Sequence, residues 1–316
     1  MFEKFVEDFR GEIAIIVKTS GETDLRDTFE CGQAFRYELI KDEDGYAEYM
    51  TVVGDLLIRV GQRERGELIF FGITDEEFES VCVPYFALDT DFVAIRDEII
   101  SKTDSEWLKR AAMSAGGISI LRQEPWEALF SFIISQNNNI PRIRKIIRSM
   151  SLAYGENLAE KRHLKGCPLG KTESVPCSSV CSECGACYSF PRPEEVLASP
   201  EKMLPSKPGF RYKYLLSAAE RVVSGETNLS KISKAASYEY TLSELKKILG
   251  VGDKVASCVA LFGFTNLEAF PIDVWMRRAI DEYFDGNLDP KSLGKYAGVA
   301  QQYIFHYIRN LENNVN

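Results

Sequence analysis

TLSELKKILGVGDKVASCVALFGF, residues 241–264, decides the reading of the fold. Apolar residues at three-to-four spacing predict helices over about 241–248 and 253–262. The joint between them is Leu249-Gly250-Val251-Gly252, and two glycines two apart permit positive φ and a close approach to the backbone. The amides opening the second helix can then receive a phosphate at its N-terminus, the arrangement of a helix-hairpin-helix. A bare GVG between helices is weak evidence, because many helix pairs turn on glycine without binding anything. The residues downstream of the joint add weight. Lys254 stands in the first turn of the second helix, where the positive end of the macrodipole and any desolvation both favour the neutral, nucleophilic amine. Nineteen residues on, Pro271-Ile272-Asp273 stops one segment and opens another helix. Asp273 reads as its N-cap, and a carboxylate held in that way can also stabilise positive charge developing on a sugar.

Toward the amino terminus the period changes. EIAIIVK, AFRYELI, YAEYMTVV, DLLIRV and ELIFFG, spread over about residues 11–72, read as strands of an antiparallel sheet separated by glycine and acidic turns. From Thr74 onward helices are expected near 75–82, 91–100, 125–136, 140–154 and 211–224, and after the hairpin over 273–284 and 291–309. The class is α+β: an antiparallel-sheet domain over 1–117, with a seam at Gly116-Gly117, then an all-α domain over 118–316. Between Tyr154 and Phe190 the period fails in favour of Gly, Pro, Ser and Cys, marking a loop insertion at about 160–189.

The 316 residues, 45% hydrophobic, suffice for two domains without disulfides. MFEKFVEDFR has none of the features of a signal peptide and no apolar run approaches ~18 residues, so a soluble, monomeric, cytoplasmic protein is expected, with no membrane partner. Net charge is 38 minus 47, or −9, which opposes nucleic-acid binding unless basic residues gather locally. Two groups do: PRIRKIIR at 141–148, with four basic residues and no acid, and Lys207, Arg211 and Lys213. Over a Debye length of roughly 8 Å such clusters outweigh a global deficit.

LGVGDKVASC followed by PID resembles the helix-hairpin-helix glycosylases with a Gly-Pro-Asp type loop, and within them the 8-oxoguanine DNA glycosylases. Four further segments carry the resemblance in order: CGQAFRY (31–37), ILRQEPWEALFSFIISQNNNIPRI (120–143), FPRPEEVLA (190–198) and YAGVAQQYIFHY (296–307). The resemblance implies a TBP-like sheet domain before the helical domain, and a bifunctional glycosylase and abasic-site lyase acting in base excision repair. Lys254 would form a Schiff base with the sugar and Asp273 would be its carboxylate partner. It also implies that the Gly32 carbonyl accepts from the N7 hydrogen that 8-oxoguanine has and guanine lacks. Gln301 would read the Watson-Crick edge of the flipped base, and Phe305 and Cys258 would pack on its two faces. Asn137 would fill the vacated stack, Arg142 and Arg211 would read the opposite cytosine, and Gly250 and Gly252 would admit the DNA backbone.

The chain departs from that pattern in places. Leu249 replaces the proline of the hairpin, Trp275 stands where many relatives carry histidine, and Phe210 replaces a tyrosine beside Arg211. A hairpin glycosylase for other damaged purines, or a non-catalytic hairpin module binding damaged duplex DNA, are the alternative readings. Lys254 argues against the first, and covalent trapping distinguishes the second.

Cys167, Cys177, Cys181, Cys184 and Cys187 crowd the insertion. Cys177, Cys181, Cys184 and Cys187 can supply a tetrahedral structural zinc site, with Cys167 competing for one place. An iron-sulfur cluster and free thiols are the other readings. Catalysis itself is expected to need no cofactor.

Overall fold

Alternating apolar residues build the sheet. The computed structural model describes residues 2–19, 21–43, 45–161, 185–235 and 237–313. Its strands are β1 (Phe2–Phe9), β2 (Glu12–Thr19), β3 (Tyr37–Glu43), β4 (Tyr46–Val53), β5 (Leu56–Gln62) and β6 (Glu67–Phe71). They form one antiparallel sheet in the order β1-β2-β6-β5-β4-β3. Five were expected. β1 was not, because an edge strand whose side chains are mostly exposed has no burial to impose a period of two. The strand expected from Ala34 begins only at Tyr37. The residues before it belong to an unforeseen helix, α1 (Leu25–Glu30), capped by the Asp24 carboxylate accepting from Asp27 N at 3.0 Å, and to the turn after that helix.

One face of the sheet buries Val17, Tyr49, Ile58, Leu68 and Phe70 against Phe29 of α1 and Phe78. Phe78 lies in a helical stretch where α2 (Asp75–Glu77) and α3 (Val83–Tyr85) flank a π-helical turn, Phe78–Cys82. The other face carries Ile40, Met50, Val52 and Leu57, covered by Leu158, Ala159 and Cys187.

The helical body contains α4 (Phe92–Ser101), α5 (Glu106–Ser114), α6 (Pro125–Ser135), α7 (Ile140–Tyr154), α8 (Leu158–Lys161) and α9 (Pro193–Ala198). After them come α10 (Tyr212–Val223), α11 (Leu229–Ala235), α12 (Tyr238–Leu245), α13 (Asp253–Gly263), α14 (Val274–Tyr283) and α15 (Ala297–Asn313). Phe92, Ile95 and Leu108 share one core with Phe132, Leu261 and Tyr303, so the helical body begins with α4, ahead of the glycine seam expected from sequence. The single helix expected over 291–309 is two: Gly294, at φ 70° and ψ −150°, breaks a 3-10 run, Pro290–Tyr296, that leads into α15. α12 starts earlier than expected because Ser237 caps it, its hydroxyl accepting from Tyr240 N. No helix among the described residues is long and apolar enough to cross a membrane.

The ends of the insertion are pinned together. Asn157 bridges Tyr188, Leu158 N donates to Cys187 O at 2.9 Å, and Ser189 N donates to Glu156 O at 2.9 Å. A long excursion between such ends leaves the flanking helices in place.

α15 meets the segment after α13 where Gly298 N donates to Leu267 O at 2.7 Å. A methyl group on Gly298 would lie 2.4 Å from Ala269 O and 2.7 Å from Leu261 Cδ1, and the first of these is backbone that has little room to yield. Gly298→Ala should therefore cost about 1–3 kcal/mol through overpacking, seen as a lower urea midpoint at unchanged m-value.

Candidate active site

The hairpin glycines have separate tasks. Gly250 sits at φ +80°, and a Cβ there would lie 2.4 Å from the Tyr214 ring, so both conformation and packing require glycine. Gly252, at φ −95°, is the N-cap of α13, makes no side-chain cap and has open space above its Cα. The unpaired amides of the first turn are thus left for an incoming anion.

Lys254 stands in that turn, half-buried. Its Nζ lies 3.4 Å from Ser135 Oγ and 5.4 Å from the centroid of the Phe132 ring, both on α6. One turn further, Cys258 is buried. Burial pushes its thiol up, an effect that hydrogen bonding and charge from Lys254 partly offset and the nearby Asp273 carboxylate reinforces. A neutral thiol is an apolar wall, suited to packing on a base. Asp273 caps α14, its Oδ1 accepting from Met276 N at 2.9 Å. It is half-buried, acts on the same thiol as Lys254, and forms no direct ion pair with that lysine. Both charges thus act on Cys258, and no ion pair joins them.

A second group gathers around Gly32. It lies at φ +82° in the turn after α1, and a Cβ there would meet Phe305 Cε1 at 3.4 Å and Ile140 Cδ1 at 3.6 Å. The turn is thus held between α15 and the first residue of α7. One turn before Phe305, Gln301 is buried and its Oε1 accepts from Gln302 Nε2 at 2.7 Å. Sequence reading missed Arg309, one turn beyond Phe305. Its guanidinium carbon is 5.3 Å from the Phe305 centroid, and one guanidinium nitrogen is 3.8 Å from the same Cβ position on Gly32. The four-residue spacing of 301, 305 and 309 was the available signal.

The three asparagines divide the work. Asn138 closes α6, its Nδ2 donating to Ile134 O at 3.2 Å, and Asn139 caps α7, its Oδ1 accepting from Arg142 N at 3.0 Å. Asn137 is left exposed in the turn at φ +46°. Arg211 braces this turn from below. It is 4% exposed and donates to Gln136 O, to Asn137 O at 3.0 Å and to Pro208 O at 3.3 Å. Arg142 is exposed, and close enough for its charge to act on Arg211.

The expected basic clusters require correction. Arg144 and Arg148 both pair with Glu38 of β3, and Arg144 stacks 4.3 Å from the Tyr37 centroid, so they tie α7 to the sheet. Arg211 is equally inward. The exposed cations of the two groups are Arg142, Lys145, Lys207 and Lys213, which have no carboxylate partner among the described residues. Phe210 stands beside them, 47% exposed, edge-on to Tyr214. Trp275 is half-buried against the helical core, with the Arg278 guanidinium 5.5 Å from its ring.

Of the cysteines in the insertion, Cys167, Cys177, Cys181 and Cys184 lie outside the described residues. Cys187 is buried on the outer face of the sheet, its Sγ 3.8 Å from Met50 Sδ.

The family model for the N-terminal domain of 8-oxoguanine DNA glycosylase matches residues 15–129. The N-glycosylase/DNA lyase of Saccharomyces cerevisiae is 30% identical over 295 residues, covering 85% of this chain and 69% of that protein. The 8-oxoguanine glycosylase/lyase of Clostridium acetobutylicum, solved with double-stranded DNA containing cytosine opposite 8-oxoguanine, superposes with a TM-score of 0.78 at 31% identity over 99% of this chain and 98% of that one. MBOgg1, solved with a low affinity DNA ligand, gives 0.79 at 32% identity over 98% and 99%. With one fold and matching sequence along nearly its whole length, the chain belongs to the 8-oxoguanine DNA glycosylase family.

Proposed function

We propose that this chain excises 8-oxoguanine from duplex DNA, preferentially opposite cytosine, and then cleaves the strand as an abasic-site lyase. The observation that carries this reading is the placement of Lys254 in the first turn of α13, its Nζ held beside Ser135 and Phe132, with Asp273 capping α14 near enough for both to act on the buried Cys258 and no ion pair joining them. An amine locked to a carboxylate would be a poor nucleophile, and a carboxylate locked to an amine would not be available to a developing oxocarbenium ion.

In the proposed reaction the lesion nucleotide is rotated out of the duplex, at a cost of a few kcal/mol. Gln301 contacts its Watson-Crick edge, and Phe305 and Cys258 face its two sides. The Gly32 carbonyl accepts the N7 hydrogen. Guanine would set a lone pair against that carbonyl, leaving a buried acceptor unpaired, and sites of this kind discriminate by roughly 10⁴-fold or more. The Lys254 amine attacks C1′ as the bond from C1′ to the base breaks and the base departs with the electron pair. Asp273 stabilises the cationic sugar. Opening of the sugar ring gives the imine, a C2′ proton is then lost, and the 3′ phosphate leaves by β-elimination.

On the opposite strand Asn137 enters the vacated stack. Arg211 spends four of its five N–H groups on carbonyls and has one to offer the orphaned cytosine, whereas Arg142 reaches it from the surface. Gly250 and the amides after Gly252 hold the lesion strand by its phosphate. The bond-breaking steps use the Lys254 and Asp273 side chains and need no cofactor. A zinc ion or iron-sulfur cluster held by Cys177, Cys181, Cys184 and Cys187 would order the insertion and take no part in bond breaking.

The experiment is incubation with duplexes carrying 8-oxoguanine opposite each of the four bases, with borohydride present. Covalent adducts should form fastest opposite cytosine, and Lys254→Gln should abolish them. Persistence of the adduct in that variant would remove Lys254 from the chemistry. Asp273→Asn should slow excision on the order of 100-fold while affinity for the lesion duplex stays unchanged. Dialysis against a chelator should leave trapping intact; loss of trapping in protein that remains folded would place a metal in the reaction.

A further inference from the structure

A glycine carbonyl is an unsteady device for discriminating bases. Gly32 sits at φ +82° with no side chain to anchor it, and a glycine peptide turns over more readily than any other. Recognition by one acceptor needs its direction held within about 10–20° and its position within about 0.5 Å. The direction must therefore be set by the residue on the other side of the same peptide, Gln33.

Gln33 is completely buried, and its amide is satisfied by backbone alone. Nε2 donates to Thr28 O and to Ser119 O, each at 2.8 Å, and Oε1 accepts from Leu121 N at 2.8 Å. The side chain thus joins the end of α1 to the segment that enters the helical body. Its own carbonyl accepts from Gln123 Nε2 at 2.7 Å. Gln123 is 8% exposed, and its backbone N–H donates to Phe262 O at 2.9 Å, in the last turn of α13. One residue therefore holds the Gly32 turn by its side chain and the helix of Lys254 and Cys258 by its backbone.

We propose that Gln33 and Gln123 are positioning residues for base discrimination, fixing the direction of the Gly32 carbonyl and its distance from the lysine helix. This rests on the reading of Gly32 as the acceptor for the N7 hydrogen. Neither glutamine touches substrate. Both act before DNA arrives, by removing the conformations in which the carbonyl points elsewhere. A buried amide serving only stability would weaken every activity of the enzyme together, whereas a positioning amide affects the step that uses the carbonyl and spares the step that does not.

Strand cleavage at a preformed abasic site provides that second step, since it needs Lys254 and contains no base to recognise. Gln123→Met keeps the side-chain length and the backbone bond to Phe262 while deleting the donor to Gln33. In single-turnover assays it should slow 8-oxoguanine excision opposite cytosine on the order of tenfold, the effect of one buried hydrogen bond, and leave abasic-site cleavage in the same duplex within about twofold. Gln33→Met removes three bonds and should lower the ratio of the two rates further. If it does not fold, Gln123→Met decides alone. Equal losses in excision and abasic cleavage, or no loss in either, would overturn the positioning role while the Gly32 reading stands on wild-type excision. A wild-type enzyme that cleaves abasic sites but ignores 8-oxoguanine would overturn the Gly32 reading and this inference with it.

Discussion

Burial of α13 is the constraint on which the site depends. From Val255 to Gly263 every residue of that helix is buried, and the Phe262 ring stacks on Phe132 of α6 at 5.4 Å. Full burial of each large apolar side chain contributes about 1.5–3 kcal/mol, so the helix cannot shift by a fraction of a turn without losing several such contacts. Its first turn, by contrast, opens on Gly252 with no side-chain cap. A rigid rod with an uncapped, half-exposed end fixes where Lys254 begins, and the Ser135 hydroxyl and the Phe132 ring limit where its nitrogen goes. Asp273 arrives on a separate helix whose start its own side chain defines, so in the proposed reaction cap and function would reinforce each other.

Charge obeys a similar logic of local arrangement against a global trend. A chain with net charge −9 gains nothing from bulk electrostatics on meeting DNA. Glu38 withdraws Arg144 and Arg148 from the surface, and Arg211 is taken up by the turn it braces. The four cations of these two groups that stay exposed are Arg142 and Lys145 in α7, Lys207 before α10 and Lys213 in its first turn. At physiological salt their field reaches roughly 8 Å, and Glu38, the nearby sheet carboxylate, is already paired with Arg144 and Arg148. Fewer phosphate contacts also mean a shallower loss of affinity with salt than for a strongly basic protein.

Much of this was legible in the sequence, for identifiable reasons. Helices with strong apolar periodicity, such as α6, α7, α13 and α14, stand where periodicity places them, a side-chain cap opening all of these but α13, and Asp273 is the cap it was expected to be. Elements with little to bury were not legible. β1 is an edge, α1 and α11 are six and seven residues long, and the break at Gly294 depends on a backbone conformation that glycine permits but does not announce. Basic clustering misled because a side chain four residues further along α7 faces Glu38 instead of solvent, and only tertiary packing decides that. Gln33 was within reach as part of CGQAFRY, but its three backbone partners lie 5, 86 and 88 residues away, so no local pattern reveals them.

The Asn137 turn shows why such partners matter beyond stability. A non-glycine residue at φ +46° is costly, of order 1–3 kcal/mol in strained cases, and a free turn would relax from it. Here Arg211 holds the carbonyls of Gln136 and Asn137, Asn138 closes the preceding helix and Asn139 starts the next, so the strain is met by folding. In the proposed role this turn would meet DNA already in shape, with the ordering entropy that weakens binding removed in advance. The same device recurs at Gly32, where a permissive backbone is fixed by buried amides on either side of the seam. Both of the proposed recognition elements are irregular turns whose backbone polar groups are satisfied by side chains outside them, a requirement that burial alone would enforce in any protein and that here would coincide with the demands of reading a base.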